Sequence, residues 1–406
     1  MKPTIAILAT LDTKGQEVGY LRGEVEALGG RALVIDMGVV GEPGTRPDVT
    51  NAAVAEAGGK SLAKLRKAPT RQEASPVMVA GATKLLQERL AAGELDAVIG
   101  LGGTQGTSNC TAVMQQLPYG LSKVMLSTVA SGDTSAFVGI KDVTMMFSVG
   151  DLLGLNPITR KMLANAAGAA YGMAISRVKL DVRESGKPVI GMTNLGVLTQ
   201  GAMRAIERFQ AAGYEVIVFH AVGSGGRAME QMMKEGLITA VFDYALGEIA
   251  DELFQGLRAG GAERLTVAGE LGLPQVICPG GLEHIGLLVE PNQVPERWKD
   301  HKVVFHNPVI LAPRLDEEEL RSVAREVARR LSKTRGRACF MMPAAGTSCY
   351  GAEGGPLRDP RGDQAFLEEI RAQLPSSIEI VVRDLHAEHP DFVDEAVDRL
   401  IALIEG

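Results

Sequence analysis

The stretch GLGGTQGT, residues 100–107, follows the apolar run Leu95, Ala97, Val98 and Ile99. A short β-type run that opens into four glycines predicts a strand that turns sharply into the N-terminus of a helix. Glycine lets the main chain approach an anion closely, and the helix dipole adds roughly half a positive charge at that end. Glycine-rich turns of this kind also form simply to pack a helix tightly on a sheet. The sequence leaves both interpretations open, and either one predicts an α/β fold.

The length and composition of the chain predict two packed domains. The chain has 406 residues, which exceeds what one hydrophobic core usually holds. Hydrophobic residues make up 46% and charged residues 22%, the proportions of an ordinary folded protein. A formal net charge of -7 argues against a general affinity for nucleic acid.

The cysteines and the apolar segments indicate a cytoplasmic protein. The four cysteines show no CxxC spacing, so neither a zinc site nor a disulfide framework is predicted. The sequence has no recognisable leader segment, and nowhere do 18 consecutive apolar residues occur. We therefore expect a protein that does not enter a membrane.

Polar turns follow four predicted strands in the first half of the chain. They contain Asp12, Gly102, Asp133 and Asp151. Because the carboxyl ends of parallel strands meet at one edge of an open sheet, we expect these turns to lie together, where ligands bind in this architecture. Residues 41–60, which are rich in Pro and Gly, are predicted to form a long loop.

Residues near the first strand supply further candidate ligand groups. Asp12 and Lys14 stand beside Thr13 in a strand-to-helix turn and offer groups suited to Mg²⁺ or to phosphate oxygens. The alternative is an Asp that caps the helix, followed by a solvated Lys. Asp36 ends the next predicted strand, about where a dinucleotide-binding fold places an acidic residue for a ribose hydroxyl. A predicted helix upstream of the glycine-rich turn brings Lys84 near that turn.

The second half of the chain repeats the element order of the first. After a linker at 185–188, residues 188–221 follow the order strand, polar turn, helix, glycine and strand seen in residues 4–36. This similarity suggests an ancient duplication of one βαβ-containing unit. We therefore predict an α/β fold of two Rossmann-like domains with mostly parallel sheets, at residues 1–184 and 185–406.

Two turns in the second half are candidate substrate contacts. One opens a helix and could hold a carboxylate or phosphate group; it consists of Ser224, Gly225, Gly226 and Arg227. The other, CPGGLEHIG at 278–286, places Glu283 beside His284, a pair that could transfer protons or bind a metal. The alternatives are a tight turn with a surface Arg and a His that makes structural hydrogen bonds.

Three further reactive side chains are interpreted as structural. Cys349 has no His adjacent in sequence, as an activated nucleophile would need. His301 and His306 are five residues apart, a spacing that does not place both rings on one face of a strand.

Six segments together resemble the UPF0261 family, whose members are also described as Tm-1-like ATP-binding proteins. The segments are ATLDTKGQE (9–17), GLGGTQGT (100–107), STVASGDTS (127–135), GLNPITRKMLANAAGA (154–169), CPGGLEH (278–284) and HNP (306–308). They occur in the family's order and span essentially the full chain. The resemblance implies a two-domain α/β protein that binds ATP in its first domain and tends to form a homodimer.

The resemblance also implies which residues touch the nucleotide. Carried over by motif, they are Thr10, Leu11 and Asp12 in the first strand-loop and Gly102, Gly103, Thr104 and Gln105 in the glycine turn. To these we add Lys14, Lys84 and Asp36 as expected nucleotide contacts. Asp12 and Asp133 are the expected ligands of Mg²⁺.

These observations predict an ATP-binding protein of small-molecule metabolism. Mg-ATP is expected at the carboxyl edge of the first sheet and a substrate in the cleft between the domains. If the chain is an enzyme, we expect ATP-dependent phosphoryl transfer or a ligase-type reaction. The alternative is a non-catalytic binding module whose dimeric form ATP stabilises. A GxxxxGK[ST] P-loop does not occur, and the first turn lacks the GxGxxG of a dinucleotide-binding dehydrogenase.

Overall fold

The chain forms two compact units, Met1–Leu180 and Asp181–Gly406. The computed structural model describes residues 2–67, 70–176, 178, 180, 186 and 188–406. Part of the linker predicted at 185–188 lies outside these residues. None of the helices in the described ranges combines the length and the apolar character needed to cross a bilayer.

The first unit is a parallel sheet with helices on both faces. Its elements are, in chain order, β1 (Thr4–Ala9), α1 (Leu11–Ala27), β2 (Arg31–Asp36), α2 (Asn51–Ala57), α3 (Leu62–Lys67), α4 (Arg71–Ala91), β3 (Ala97–Gly102), α5 (Thr104–Gln115), β4 (Ser122–Ser127), α6 (Ser135–Val138), β5 (Thr144–Phe147) and α7 (Pro157–Ala174). The strand order is β2-β1-β3-β4-β5, and all neighbouring pairs are parallel. The connections from β1 and β3 lead to opposite sides of the sheet, so the gap between their carboxyl ends is the expected ligand position.

The alternation of side chains along β1 explains why helices cover both faces. Ile5 and Ile7 pack with residues of α1 and α7, whereas Ala6 and Leu8 pack with residues of α2, α4 and α5. All four side chains are fully buried. A strand that is buried on both sides is apolar throughout, as β1 is.

The loop predicted over 41–60 contains a helix, α2. The side chain of Thr50 caps it by accepting a hydrogen bond from the amide of Ala53 at 3.2 Å. The alanines of its sequence NAAVAEA favour the helical backbone. The Pro and Gly residues lie on either side of this segment, so the loop prediction is wrong for residues 51–57.

The second unit is also built on a parallel sheet. Its elements are β6 (Val189–Asn194), α8 (Thr199–Ala211), β7 (Glu215–His220), α9 (Ser224–Lys234), β8 (Ala240–Ala245), α10 (Gly247–Phe254), α11 (Val267–Leu271), β9 (Gln275–Gly280), β10 (Leu287–Leu288), β11 (Val303–Asn307), β12 (Ile310–Pro313), α12 (Glu317–Leu331), β13 (Ala338–Pro343), α13 (Pro360–Gln373), β14 (Glu379–Arg383) and α14 (Pro390–Glu405). The order of the main sheet is β7-β6-β8-β9-β13-β14. A small antiparallel sheet, β10-β12-β11, is inserted between β9 and β13 in the sequence.

The two main sheets share one strand order. When the strands are numbered in chain order within each main sheet, the first five strands of both sheets run 2-1-3-4-5. The second main sheet adds a sixth strand at its edge. This shared order is what the duplication hypothesis predicts. The prediction of two Rossmann-like α/β domains with mostly parallel sheets is confirmed.

Candidate functional site

A cavity of about 450 Å³ lies at the carboxyl ends of β1 and β3 in the first unit. Its lining comes from four segments within residues 10–14, 37–40, 70–75 and 102–109. The first segment begins α1 and the last begins α5, so the N-termini of two helices open into one cavity. Such ends carry partial positive charge and amides without partners inside the helix.

The N-terminus of α5 is open toward the cavity. Gly103 is its N-cap, and no side chain caps the helix. Thr104 begins the helix at the cavity lining, and Gln105 is held there by Nε2, which donates to Ser75 Oγ at 3.1 Å and to Asn109 Oδ1 at 3.0 Å. The free amides of this first turn therefore face a volume that an anionic group can enter.

Packing accounts for two glycines of this turn, Gly100 and Gly102, but not for Gly103. A Cβ at Gly100 would lie 2.6 Å from Cys110 Cβ, and one at Gly102 would lie 2.8 Å from the Cα of Gly106, so both positions are required by packing. A Cβ at Gly103 would meet only Thr128 Oγ1, at 3.7 Å. Packing therefore leaves the surface of Gly103 free for a ligand.

Asp12 presents an unsatisfied carboxylate oxygen beside this turn. Its Oδ2 accepts a hydrogen bond from the amide of Gly41 at 3.1 Å. Its Oδ1 is buried and has no hydrogen-bond partner among the described residues. An added Cβ at Gly38 would lie 3.2 Å from this oxygen and 3.0 Å from Oδ1 of Asp36. A buried carboxylate oxygen is costly unless a donor or a cation satisfies it, so Asp12 Oδ1 is a candidate ligand atom.

Lys14 lines the cavity, but its ammonium group makes a hydrogen bond to the chain itself. Its backbone interrupts α1 with non-helical angles, φ -122 and ψ 18. Its Nζ donates a hydrogen bond to the carbonyl oxygen of Leu152. In this arrangement the ammonium group is directed to the chain and not to the cavity.

Asp36 and Leu11 support the site without facing it. Asp36 Oδ1 accepts hydrogen bonds from the amides of Leu11 at 3.1 Å and Gly38 at 2.8 Å. Burial raises the pKa of Asp36, the two amides oppose this, and the charge of Asp12 adds to it. The side chain of Leu11 is fully buried in the core. Both residues fix the turn after β1.

Two residues predicted from the sequence lie outside this cavity. Lys84 is an exposed residue of α4. Asp133 is exposed, and its Oδ1 accepts a hydrogen bond from the amide of Ser135 at 2.9 Å. Neither residue belongs to the lining that contains Asp12.

The GSGGR turn of the second unit already holds a carboxylate. Ser224, Gly225, Gly226 and Arg227 do begin a helix, α9, as expected. Glu248 Oε1 accepts hydrogen bonds there from the amides of Gly223 at 2.6 Å and Gly226 at 3.1 Å. The chain's own carboxylate therefore occupies the place expected for a substrate anion, and Arg227 remains an exposed side chain.

His284 lines a cavity of about 580 Å³ in the second unit, and Glu283 lies buried behind it. The sequence analysis interprets Cys349 and His306 as structural, but both belong to this lining. It does not single out the other reactive side chains there, which are His220, Arg258 and Tyr350. They come from segments far apart in the sequence. The strand order of the main sheet brings these segments to one edge, and the sequence alone does not show that order.

A third polar cluster is explained by a helix cap. His301, Asp316 and Glu319 bring ligand atoms within 4.8 Å of one another. Glu319 Oε2 accepts a hydrogen bond from the amide of Asp316 at 3.0 Å, and Asp316 Oδ1 accepts one from the amide of Glu319 at 2.8 Å. This reciprocal pair is the capping box of α12, so its oxygens have a structural role.

Two family models match most of the chain. Residues 3–179 match the N-terminal domain, and residues 187–404 the C-terminal domain, of the family described as "Uncharacterised protein family (UPF0261)".

Relatives extend over the same length. A UPF0261 protein of Clostridium tetani is 36% identical over 406 residues, which are 100% of this chain and 100% of the relative. A UPF0261 protein of Rhizobium meliloti is 35% identical over 395 residues, 97% of each chain. The ToMV resistance protein Tm-1(GCR237) of Solanum lycopersicum is 32% identical over 314 residues, 76% of this chain and 42% of the relative.

Proposed function

The chain belongs to the UPF0261 family, and from the geometry of its first unit we propose that it binds ATP with Mg²⁺ in the cavity between β1 and β3. One observation carries the proposal: the uncapped N-terminus of α5 opens beside the unpartnered carboxylate oxygen of Asp12. A group that satisfies both is an anion that brings its own cation. A nucleoside triphosphate with Mg²⁺ has this character.

The phosphates would lie against the turn at Gly103. The first-turn amides of α5 donate to phosphate oxygens, and the helix dipole favours their charge. Because a Cβ at Gly103 would meet Thr128 Oγ1 at 3.7 Å, an ordinary contact distance, the absence of a side chain there matters for the ligand and not for packing. This is the condition under which a main chain can closely approach a phosphate.

The residues present suit a Mg²⁺ ion near Asp12. Mg²⁺ prefers oxygen ligands and is usually held by one or two carboxylates together with substrate phosphates and water. Asp12 Oδ1 is buried, lacks a partner among the described residues and lies near Oδ1 of Asp36. The ion would neutralise the negative charge that these carboxylates share with the phosphates.

The β2 side of the cavity suits the base of the nucleotide. Met37, Val39, Val40 and Ala74 supply apolar lining there. The side chain of Val40 is 70% exposed. A flat base covering this surface would remove apolar area from water, which is favourable.

The shortage of cations favours binding over turnover. Phosphoryl transfer is catalysed largely by positioning and by neutralising charge. Among the described residues that line the cavity, Lys14 is the only Lys or Arg, and its ammonium donates to Leu152. We therefore propose that ATP acts first as a bound, stabilising ligand. ATP-dependent transfer would require Lys14 to leave the Leu152 carbonyl and reach the phosphates.

A melting scan of the full chain with ATP, ADP, AMP and NAD, each with and without Mg²⁺, tests the proposal. A saturating ligand that binds only the folded state adds about 2.7 kcal/mol at a hundredfold excess over Kd, which raises Tm by several degrees. We expect the largest shift with Mg-ATP and none with NAD. Gly103→Val should abolish the shift, because its side chain fills the phosphate position.

Two matched variants control this experiment. Gly23→Val places the same side chain at an open, exposed position of α1 and should keep the shift. Asp12→Asn should lose the contribution of Mg²⁺, whereas Asp96→Asn, at the amino end of β3, should not. An equal shift in Gly103→Val and Gly23→Val, or no shift with any nucleotide, contradicts the proposal. Phosphate release with the best ligand then separates turnover from binding.

A further inference from the structure

A second cavity, in the second unit, has no part in the proposed nucleotide site. Its volume is about 580 Å³, which is within the usual range for small-molecule sites. Segments that follow β6, β7, β9 and β13 line it together with the small antiparallel sheet. The cavity therefore lies at the carboxyl edge of the sheet, where open α/β folds bind ligands.

Two helix N-termini at this edge are closed to anions. Glu248 Oε1 accepts from the amides of Gly223 and Gly226 at the start of α9. Glu388 Oε1 accepts from the amide of Gln200 at 2.8 Å at the start of α8. Because these carboxylates occupy the amides and carry negative charge, a phosphate cannot bind there. These two helix starts therefore contribute no anion site to the cavity.

Arg258 offers one such side chain. Asp251 Oδ2 accepts hydrogen bonds from its Nε at 3.0 Å and its Nη2 at 2.7 Å, and both residues are buried. This pairing fixes the plane of the guanidinium. The remaining nitrogen, Nη1, lies 3.4 Å from Nε2 of His284 and donates to no carboxylate in the described ranges.

The ring of His284 lies between Glu283 and Arg258. Nδ1 of His284 lies 3.2 Å from Oε1 of Glu283. Glu283 in turn accepts hydrogen bonds from the hydroxyls of Thr347, at 2.7 Å, and Ser348. Burial would raise the pKa of Glu283, but the imidazole and the two hydroxyls hold it below its usual range. The buried carboxylate therefore lies close behind Nδ1 of His284, which has no hydrogen-bond partner of good geometry among the described residues, while Nε2 lies 3.4 Å from Nη1 of Arg258.

The walls of the cavity are apolar. Side chains from several segments form them, among them Leu195, Val197, Val222, Leu257 and Ile310. Within the described ranges no Asp or Glu belongs to the lining, so the ionisable groups at the surface of the cavity are a guanidinium, three imidazoles, a thiol and a phenol. This combination favours a ligand with an apolar body and one acidic head.

The ionised form of the Cys349 thiol is disfavoured, because the pKa of this group is raised. Burial raises the pKa of its thiol, and the charges of Glu388 and Glu283 add to this effect. A thiol is nucleophilic in its ionised form.

We propose that this cavity binds a small organic carboxylic acid with an apolar body, through Arg258 and His284. One oxygen of the carboxylate accepts from Nη1 of Arg258. Binding takes up one proton from solution, and this proton lies between the other carboxylate oxygen and Nε2 of His284. The hydrocarbon part lies among the apolar walls. This site is separate from the nucleotide site and does not depend on it.

Calorimetric titration of the full chain with butanoate, hexanoate and octanoate tests the proposal. Each added methylene that enters the cavity should strengthen binding about three- to fourfold. Methyl hexanoate keeps the carbonyl and the chain but lacks both the charge and the proton. We expect it to bind at least tenfold more weakly than hexanoate.

Substitutions of residues that line the cavity test whether hexanoate binds there. A Cβ at Gly196 would meet nothing within 4 Å, so Gly196→Phe fills the cavity without disturbing the backbone and should abolish hexanoate binding. Gly168→Phe adds the same group at an open position of the first unit and should leave binding unchanged. His284→Gln should reduce the preference for hexanoate over its ester, whereas His306→Gln should retain it.

Three results would overturn the proposal. They are equal affinity for the acid and the ester, no binding of any member of the series by folded protein, and undiminished binding in Gly196→Phe. The ATP-dependent melting shift is measured on the same variants. Because the Gly196 variant leaves the first unit intact, the outcome for the acid and the outcome for ATP can be read separately.

Discussion

The glycines of the turn between β3 and α5 differ in what a methyl group would meet. At Gly102 it would lie 2.8 Å from the Cα of Gly106, whereas at Gly103 it would meet Thr128 Oγ1 at 3.7 Å, an ordinary contact distance. We expect Gly102→Ala to lower the free energy of unfolding by about 2 kcal/mol, because backbone must move. Gly103→Ala should change the free energy of unfolding by less than about 0.5 kcal/mol. Ala is a weaker N-cap than Gly, but it also reduces the flexibility of the unfolded chain, and the two effects oppose each other. Urea unfolding of both variants measures the difference, and equal losses would contradict it.

Glu230 is a buried carboxyl group whose titration affects stability. It accepts hydrogen bonds from the amides of Leu265 at 2.5 Å and Val267 at 3.1 Å. Burial raises its pKa to about 7; Arg264 and the amides oppose this rise, and Asp243 adds to it. Because the folded pKa exceeds the ordinary value of 4.5, the protonated group stabilises the fold at low pH, and this contribution is lost as pH rises through about 7.

The pH dependence of unfolding in wild type and Glu230→Gln tests this effect. Between pH 5 and pH 7 the wild type should lose up to about 1.4 kcal/mol per pH unit relative to the variant. Below pH 4.5 and above pH 8 the two curves should run parallel. If they run parallel from pH 5 to pH 7 as well, Glu230 does not titrate as described.

At the scale of elements, the start of α9 depends on a carboxylate from α10. Glu248 accepts from the amides of Gly223 and Gly226, and its Oε2 lies 2.6 Å from Nε of the fully buried Arg264. Glu248→Ala should lower the free energy of unfolding by about 3 kcal/mol, because it leaves buried donors unpaired. Denaturant unfolding measures this loss. Glu252→Ala, on the same helix but half-buried, should cost less than about 1 kcal/mol, and a comparable cost would contradict the assignment.

The same element shows what sequence reasoning could and could not predict. The GSGGR turn was expected to open a helix, and it does so. The sequence could not show that Glu248, more than 20 residues further along, fills the amides of that turn. Helix α2 was missed for a related reason. The prolines and glycines on either side of it dominated the composition of the segment, whereas the short pattern from Thr50 to Ala57 determines the helix.

At the scale of the whole molecule, the periodicity of strands and helices was enough to predict the fold class. Buried parallel strands are apolar throughout, and their glycine-rich turns mark the carboxyl edge, so both sheets could be anticipated. Sequence patterns single out Asp12 and Gly103, which both line the cavity of the first unit, because they lie in recognisable turns. In the cavity of the second unit they single out His284 but not Arg258, since these residues are brought together only by the order of the strands.

The closed start of α9 has a consequence for protein redesign. The two main sheets share one strand order but differ at the helix starts that follow their strands. At Gly103 the first turn of the helix is open, whereas at Gly223 the side chain of Glu248 occupies the amides. A few side chains therefore decide whether the amides at a helix start are open in this scaffold, and the framework itself need not change. An engineer who wished to move a phosphate site into the second sheet would have to replace Glu248 and rebalance Arg264 in the same step. Because Glu248 and Arg264 are paired, natural selection would also have to change both residues to open this turn.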